Sequence, residues 1–396
     1  MRTIKLSEEE KIAWLRLIRS ENVGSATFES LMRFYEKPSD ALKNLGDWAE
    51  RGGSKRKIKI CSEKAALEEM ETIQKMGAVL ICSCEENYPA LLKSIKNPPA
   101  LITVLGQQQI FKTPAVAFVG ARNASLNGKN LTRKMAFDCV QNGISVVSGM
   151  ALGIDGAAHE GALSANNEKA GTIAVLGTGI DVVYPAEHKD LYQEIKERGI
   201  LVSEFPLQMR PTASNFPRRN RLISGLSLGT LIVEAKDNSG SLITAEFAKE
   251  QNRVVMGVPG SPMDDRSVVP NALIKAGAVL IQNAQDIMSA IKQAQIEQDN
   301  FFLHEGKKKI ELYRFPDEDE LKDARSLVLS ALSANPVSED ELCRQLSLPA
   351  QVVGVILLEL ELAGRIERHS LGRVSLLYNP EDMKSLDPKK IEWMED

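Results

Sequence analysis

The chain reads as an α/β protein. An extended Rossmann-like parallel sheet is predicted over residues 85–292, after an N-terminal SAM/helix-hairpin-helix-like helical domain (1–80). A linker (293–320) and a C-terminal winged helix (321–380) follow. Three observations predict this. Short β-branched runs alternate with amphipathic helical stretches from about residue 114 to 292, the pattern of a parallel sheet covered on both faces. Glycine-bearing turns follow the strands, where ligands of such sheets bind. The tail carries a capping motif, three helical stretches and a hairpin-like end.

In the N-terminal part, Leu15, Leu17 and Ile18, then Phe28, Leu31, Met32 and Phe34, recur at helical spacing. Turns are predicted near Asn22-Val23-Gly24 and Lys37-Pro38-Ser39. The piece Val23 to Phe28 looks like half of a helix-hairpin-helix turn, whose N–H groups can hold a phosphate. One glycine turn carries little weight, and Ser25 is read as a plain N-cap. Residues 51–59 bring Arg51, Lys55, Arg56, Lys57 and Lys59 together with glycines, which predicts a mobile basic loop.

In the central region the predicted strands are 115–119, 144–147, 172–176, 200–203, 230–233, 253–256 and 278–281. The helices between them are 131–140, 154–163, 189–198, 242–250 and 270–275. The turns are Gly120-Ala121-Arg122-Asn123-Ala124-Ser125, Ser148-Gly149-Met150-Ala151-Leu152-Gly153-Ile154-Asp155, Gly177-Thr178-Gly179-Ile180-Asp181 and Asn238-Ser239-Gly240-Ser241. Each is expected to offer unblocked N–H groups near a helix start, a usual way to hold phosphate. None matches a dinucleotide fingerprint, because Val182 stands where a third glycine belongs and Val183-Tyr184-Pro185 precedes any helix. The phosphate loop of ordinary ATPases is absent, and no cofactor or metal is implied. Asp155 and His159 share a helix face and form the best acid–base pair. They are read as structural, with Asp155 capping the helix and one His159 ring nitrogen satisfied.

The stretch Phe216-Pro217-Arg218-Arg219-Asn220-Arg221 packs three arginines into four positions between apolar neighbours. Guanidiniums so close repel one another unless an anion lies between them, and their forks of donors suit phosphate oxygens. It is read as a polyanion site.

Composition narrows the class. Of 396 residues, 43% are hydrophobic and 26% charged, enough for two or three cores. No run of apolar residues is long enough to span a membrane, and the N-terminus lacks a secretory core. Five scattered cysteines without a C-x-x-C predict reduced thiols and a cytoplasmic location. A net charge of −4 gives no global attraction to nucleic acid, so a polyanion must be held by a local patch.

In the tail, residues 293–320 are polar, as a linker should be. Helices are predicted over 325–332, from the Ser338 capping box to Leu346, and over 349–363, with a two-stranded wing over 364–377 around Leu371-Gly372. The third helix has no Lys or Arg and carries Glu359 and Glu361, so phosphates would repel it. The domain is therefore expected to contact protein, with Arg365, Arg368 and Arg373 its plausible DNA contacts.

Taken together, Val119 to Arg122, Ser148 to His159, Ala174 to Pro185, Ser203 to Pro206, the Phe216–Ser227 run, Ser239 to Ala245 and Val258 to Ser261 resemble the DNA-processing protein A (DprA/Smf) family. The resemblance implies a single-strand DNA-binding protein of natural transformation and recombination. Such a protein shields incoming strands, helps load RecA recombinase and forms a homodimer, without catalysing a reaction. It carries DNA contacts onto Gly120, Arg122, Ser148, Gly149, Phe216, Arg218, Arg219, Asn220 and Arg221. The stretch Ser267 to Ile274 departs from the family pattern, and no contact is carried there. Two alternatives are weaker. A phosphoribohydrolase of the lysine-decarboxylase-like (LOG) kind lacks its Pro-Gly-Gly signature here, and a winged-helix duplex regulator is disfavoured by the acidic third helix.

Overall fold

The computed structural model describes residues 6–237, 239–305, 316–369 and 372–377, the side chains of 297–305 and 319 excepted. The expected turn residues Asn238 and Leu371 and the Lys307–Lys309 run lie outside the described residues. The chain begins with helices α1 (Glu8–Ile18), α2 (Ser25–Phe34), α3 (Pro38–Arg51) and α4 (Glu63–Lys75). Then come β1 (Val79–Cys82), α5 (Ala90–Lys93), β2 (Leu101–Gly106), β3 (Ala115–Val119), α6 (Leu126–Gln141), β4 (Ser145–Ser148), α7 (Ile154–Ser164) and β5 (Thr172–Val175). They are followed by α8 (Lys189–Arg198), β6 (Ile200–Ser203), α9 (Asn215–Gly225), β7 (Gly229–Ile232), α10 (Gly240–Glu250), β8 (Val254–Gly257), α11 (Val268–Lys275), β9 (Val279–Leu280) and α12 (Ala284–Glu305). The last elements are α13 (Glu318–Ala331), β10 (Val337–Ser338), α14 (Glu339–Leu346), α15 (Ala350–Leu362), β11 (Ile366–Arg368) and β12 (Arg373–Leu376).

These elements divide into two compact units, one of residues 1–6 and 67–309, the other of 7–66 and 310–396. In the first, nine strands form one sheet in the order β1-β2-β6-β5-β4-β3-β7-β8-β9. The strands from β6 through β9 pair in parallel, whereas β1–β2 and β2–β6 are antiparallel. Both faces are covered, as the near-continuous apolar runs require. Ala115, Ala117 and Val119 of β3 enter one core cluster, and Val116 and Phe118 enter the other. The antiparallel pair β1–β2 is the extension of the Rossmann-like sheet.

Three local expectations change. Most of the 216–227 run lies in a helix, α9, which ends at Gly225 and has Pro217 inside its first turn, where a missing N–H costs nothing. Gly24, not Ser25, occupies the N-cap of α2, and Gly24 N–H donates to Thr27 Oγ1 at 3.4 Å. The expected linker is partly helical: α12 runs to Glu305 and α13 begins at Glu318.

The second unit joins the two ends of the chain. The winged-helix elements form a sheet in the order β10-β12-β11 beside α13, α14 and α15. Helix α15 packs against α13 and α14 and also against α2 and α3. Nine of its residues are buried, including Val352, Val353, Ile356, Leu357 and Leu360, so it is apolar all round, as a helix enclosed on every side must be. The contact is reciprocal at the helix ends. Asn22 Nδ2 donates to the Leu362 carbonyl of α15 at 3.1 Å, and Arg365 Nη1 donates to the Gly52 carbonyl after α3 at 3.5 Å. Each bond satisfies a carbonyl that a helix C-terminus leaves without a partner. Helix α15 is therefore covered by helices from both ends of the chain.

Two of the wing arginines are tied inward as well. Arg368 pairs with Glu361 at 2.8 Å, while Arg365 reaches Gly52. Arg325 holds the buried Glu359 through two hydrogen bonds of 2.8 and 2.9 Å.

Candidate nucleic-acid interface

At the carboxyl ends of β3, β4 and β5 lies an open cleft. Arg122, Met150, Leu152, Thr178, Tyr184 and Phe216 are among the residues lining it, with Gly149 and Arg219 at its base. Phe216 comes from the first turn of α9, and the exposed Arg122 comes from the turn after β3. The Arg122 guanidinium stands 5.5 Å from the Phe216 ring centre. Tyr184 packs against the other side of the neighbourhood, its ring centre 5.5 Å from that of Phe216 at 35°. A guanidinium over an aromatic face keeps its charge and loses little hydration. The cleft thus presents a cation and two flat apolar surfaces at one place.

Helix geometry separates the three arginines. Arg218 and Arg221, three residues apart, flank residues 204 and 205, whereas Arg219 is turned about 100° away, into the sheet. Arg218 is exposed, with its guanidinium 5.4 Å from the buried Phe205 ring, and lies off the cleft. Arg221 forms an ion pair with Glu204 and donates to the Asn97 carbonyl at 2.8 Å. Arg219 is 5% exposed and donates to the carbonyls of Gly149 and Val175, stitching the ends of β4 and β5 to α9. The three guanidiniums of the run thus point to three different places. Burial pushes the Arg219 guanidinium down to about 10, partly offset by the nearby Asp155 carboxylate, so it stays charged at neutral pH. Asn220 accepts from Arg219 Nε at 3.2 Å and donates to the Gly240 carbonyl at 3.2 Å.

The turns themselves differ from expectation in one respect. Two of them already hold carboxylates. Asp155 Oδ2 accepts the N–H groups of Gly149 (3.1 Å) and Ala151 (3.3 Å), and Glu234 Oε2 accepts that of Ser125 (2.8 Å). Asp155 is therefore not an N-cap, a position taken by Gly153, but a buried anchor for the loop before α7. Burial raises its carboxyl pKa, against the pull of Arg219 and the two N–H groups. At these positions the donors usually offered to phosphate are consumed inside the protein, which leaves anion binding to side chains.

Glycine is required here by neighbouring protein atoms. A Cβ on Gly149 would sit 2.8 Å from Arg219 Cζ and Asp155 Oδ2, and one on Gly120 would sit 2.5 Å from Ile154 Cγ1. Ser148 is buried, with its hydroxyl donating to the Phe118 carbonyl at 2.7 Å. His159 is fully buried with Nδ1 2.6 Å from Thr172 Oγ1, so one ring nitrogen is satisfied, by a strand residue. Burial, reinforced by His188 and Arg219, pushes its imidazole down to about 3. Of the nine residues marked in the sequence, the structure gathers Arg122, Gly149, Phe216 and Arg219 at the cleft. Gly120, Ser148 and Asn220 support its walls, and Arg218 and Arg221 lie beside it. Tyr184 was missed, although an exposed aromatic closing a glycine turn was a readable signal.

Residues 79–292 match the DNA recombination-mediator protein A family, 8–72 the DprA-like N-terminal HHH domain, and 315–370 the DprA winged helix domain. The chain belongs to the DprA/Smf family. It is 31% identical to protein Smf of Synechocystis sp. over 92% of this chain and 98% of that protein. It is 37% identical to protein Smf of Escherichia coli over 75% of this chain and 77% of the relative. The crystal structure of DNA processing protein A from Streptococcus pneumoniae aligns at a TM-score of 0.57 with 31% identity. That alignment covers 72% of this chain and 98% of the solved one. No helix among the described residues is long and apolar enough to cross a membrane.

Proposed function

We propose that this DprA/Smf-family protein binds single-stranded DNA at the cleft beyond β3, β4 and β5, shields it, and passes it to RecA recombinase in transformation and recombination. The observation that carries the reading is the grouping of Arg122, Phe216 and Tyr184 in one open cleft. Single strands are held by cations that track the backbone and by aromatic faces on which bases stack. Arg122 and Arg218 supply the phosphate contacts, and Phe216 with Tyr184 supplies the platform. Arg219 and Asn220 act as positioning residues, holding α9 to the strand ends. Arg221, paired to Glu204, makes no direct contact. The strand is bound without being altered, in the cytoplasm, by a homodimer whose contact lies on the central sheet. Its terminal strand β9 leaves Val279 and Leu280 exposed. Leu280→Arg is expected to shift sedimentation toward the monomer.

The test is fluorescence anisotropy of labelled oligo-dT over a salt series with a duplex competitor. Arg122→Ala with Arg218→Ala should lower the slope of log affinity against log salt by about 1.4, two phosphates at ~0.7 each. An unchanged slope and affinity would remove the cleft from consideration. RecA loading is checked by the rate of filament formation on strands coated with a single-strand-binding protein. No acceleration by the wild type would reject that part.

A further inference from the structure

The segment 51–59 carries five cations and no carboxylate in a chain whose net charge is −4, yet the cleft makes no use of it. Its end is hydrogen-bonded to the turn after α1. The Glu21 N–H donates to the Lys59 carbonyl at 3.0 Å, and Lys59 N–H donates to Glu21 Oε2 at 3.0 Å. Cys61 N–H donates to Ser20 Oγ at 3.1 Å, and Arg16 Nε donates to the Cys61 carbonyl at 3.0 Å. Arg56 turns back onto Glu21 through both guanidinium nitrogens, and Ile58 is half-buried. Residues 57–60 are thus a non-helical stretch held beside the turn between α1 and α2, with Ile58 its half-buried side chain.

Lys55, Lys57 and Lys59 are all exposed. Glu21 is the carboxylate at this strip, and two hydrogen bonds from Arg56 and one from the Lys59 N–H engage it. These contacts hold the Glu21 carboxyl below its ordinary range, with Arg56 the main cause. A solvated charge run has no reason to be fixed in this way. Lys57 and Lys59 fall on the non-helical stretch, and Lys55 lies in the bend just before it. Lysine meets phosphate as a point charge that needs no bidentate geometry, which suits contacts insensitive to sequence.

We infer that Lys55, Lys57 and Lys59 form a second phosphodiester-binding strip for single-stranded nucleic acid, on the N-terminal helices and separate from the cleft. The inference rests on the proposed single-strand binding, and its test keeps the two apart. In the full chain, Lys55→Gln/Lys57→Gln/Lys59→Gln removes three exposed charges and no packing, so the melting temperature should not change. The salt slope for a long oligo-dT should fall by about 2, three phosphates at ~0.7 each. The same slope should disappear from the residual binding of the Arg122→Ala/Arg218→Ala protein when the lysines are also replaced.

Wild-type binding with an unchanged slope in the lysine variant would overturn the strip and leave the cleft standing. No wild-type binding at all would overturn both. A variant that loses binding only to vesicles containing anionic lipid, and not to oligo-dT, would overturn the strip in favour of a membrane surface.

Discussion

Arg218 and Arg219 are adjacent in sequence and opposite in physics, and replacing them one at a time separates binding from architecture. Arg219 is 5% exposed, donates to the Gly149 and Val175 carbonyls, and is an opposing charge to the buried Asp155. Arg219→Ala would leave two buried carbonyls without their donor and Asp155 without its counter-charge. An orphaned polar group costs about 1–3 kcal/mol and an uncompensated buried charge about 3–5 kcal/mol. Because Asp155 keeps its two N–H donors, about 3–5 kcal/mol in total is expected. At about 2–4 °C per kcal/mol for a unit of this size, the melting temperature falls by roughly 10 °C. Arg218→Ala removes an exposed side chain that lies over the Phe205 face, a contact worth about 0.5–1 kcal/mol. Its expected signature is weaker DNA binding with a stability loss of no more than that. The assays are urea unfolding and oligo-dT anisotropy on the same preparations. If Arg219→Ala kept wild-type stability while losing DNA, the buried-anchor reasoning would be refuted and Arg219 would be a contact residue.

Other outcomes follow from the same structure. Gly52 has φ −71°, open to any residue, yet a Cβ there would lie 2.0 Å from the Glu359 carbonyl, so Gly52→Ala wedges α3 from α15 without backbone strain. A loss of about 1–3 kcal/mol on thermal or urea unfolding is expected, and none would mean that α15 does not rest there in solution. Removal of either chain end should likewise unfold the other, read by protease resistance of a protein lacking residues 316–396. His159 is neutral when folded, with its pKa pushed down to about 3 from an unfolded value near 6.5. Below pH ~6.5 the unfolded state binds the extra proton, so stability present above that pH is lost as pH falls toward 3, at about 1.4 kcal/mol per unit. The difference in unfolding free energy between wild type and His159→Gln, measured from pH 7 to 4, should carry that slope; a flat difference counts against it. Arg221→Ala should destabilise through the stranded Glu204 and leave the salt dependence of DNA binding unchanged, measured by anisotropy.

What was legible locally was legible for a reason. The strands from β3 to β7 were predicted within a residue or so because a strand buried on both faces must be largely apolar. β1 and β2 went unread: Val79–Cys82 is short, and neither strand lies in the alternating strand–helix pattern. Helix α9 was hidden because proline and clustered arginines look like a turn until tertiary contacts at Gly149, Val175 and Glu204 take up the charges. The apolar character of α15 was visible, and a helix without a polar face announces a partner on every side.

The sequence by itself determined the family, the α/β sheet, the turns that line its carboxyl edge and the absence of cations on the third winged-helix segment, since each is written in neighbouring residues. Only the tertiary structure decided which arginine faces solvent and which is an internal brace, and that Asp155 and Glu234 already fill two of the turns. It also decided that the chain's two ends form one unit. Those outcomes depend on pairs such as Asn22 with Leu362 and Gly52 with Glu359, more than 300 residues apart, for which no local pattern of periodicity or charge carries a signal.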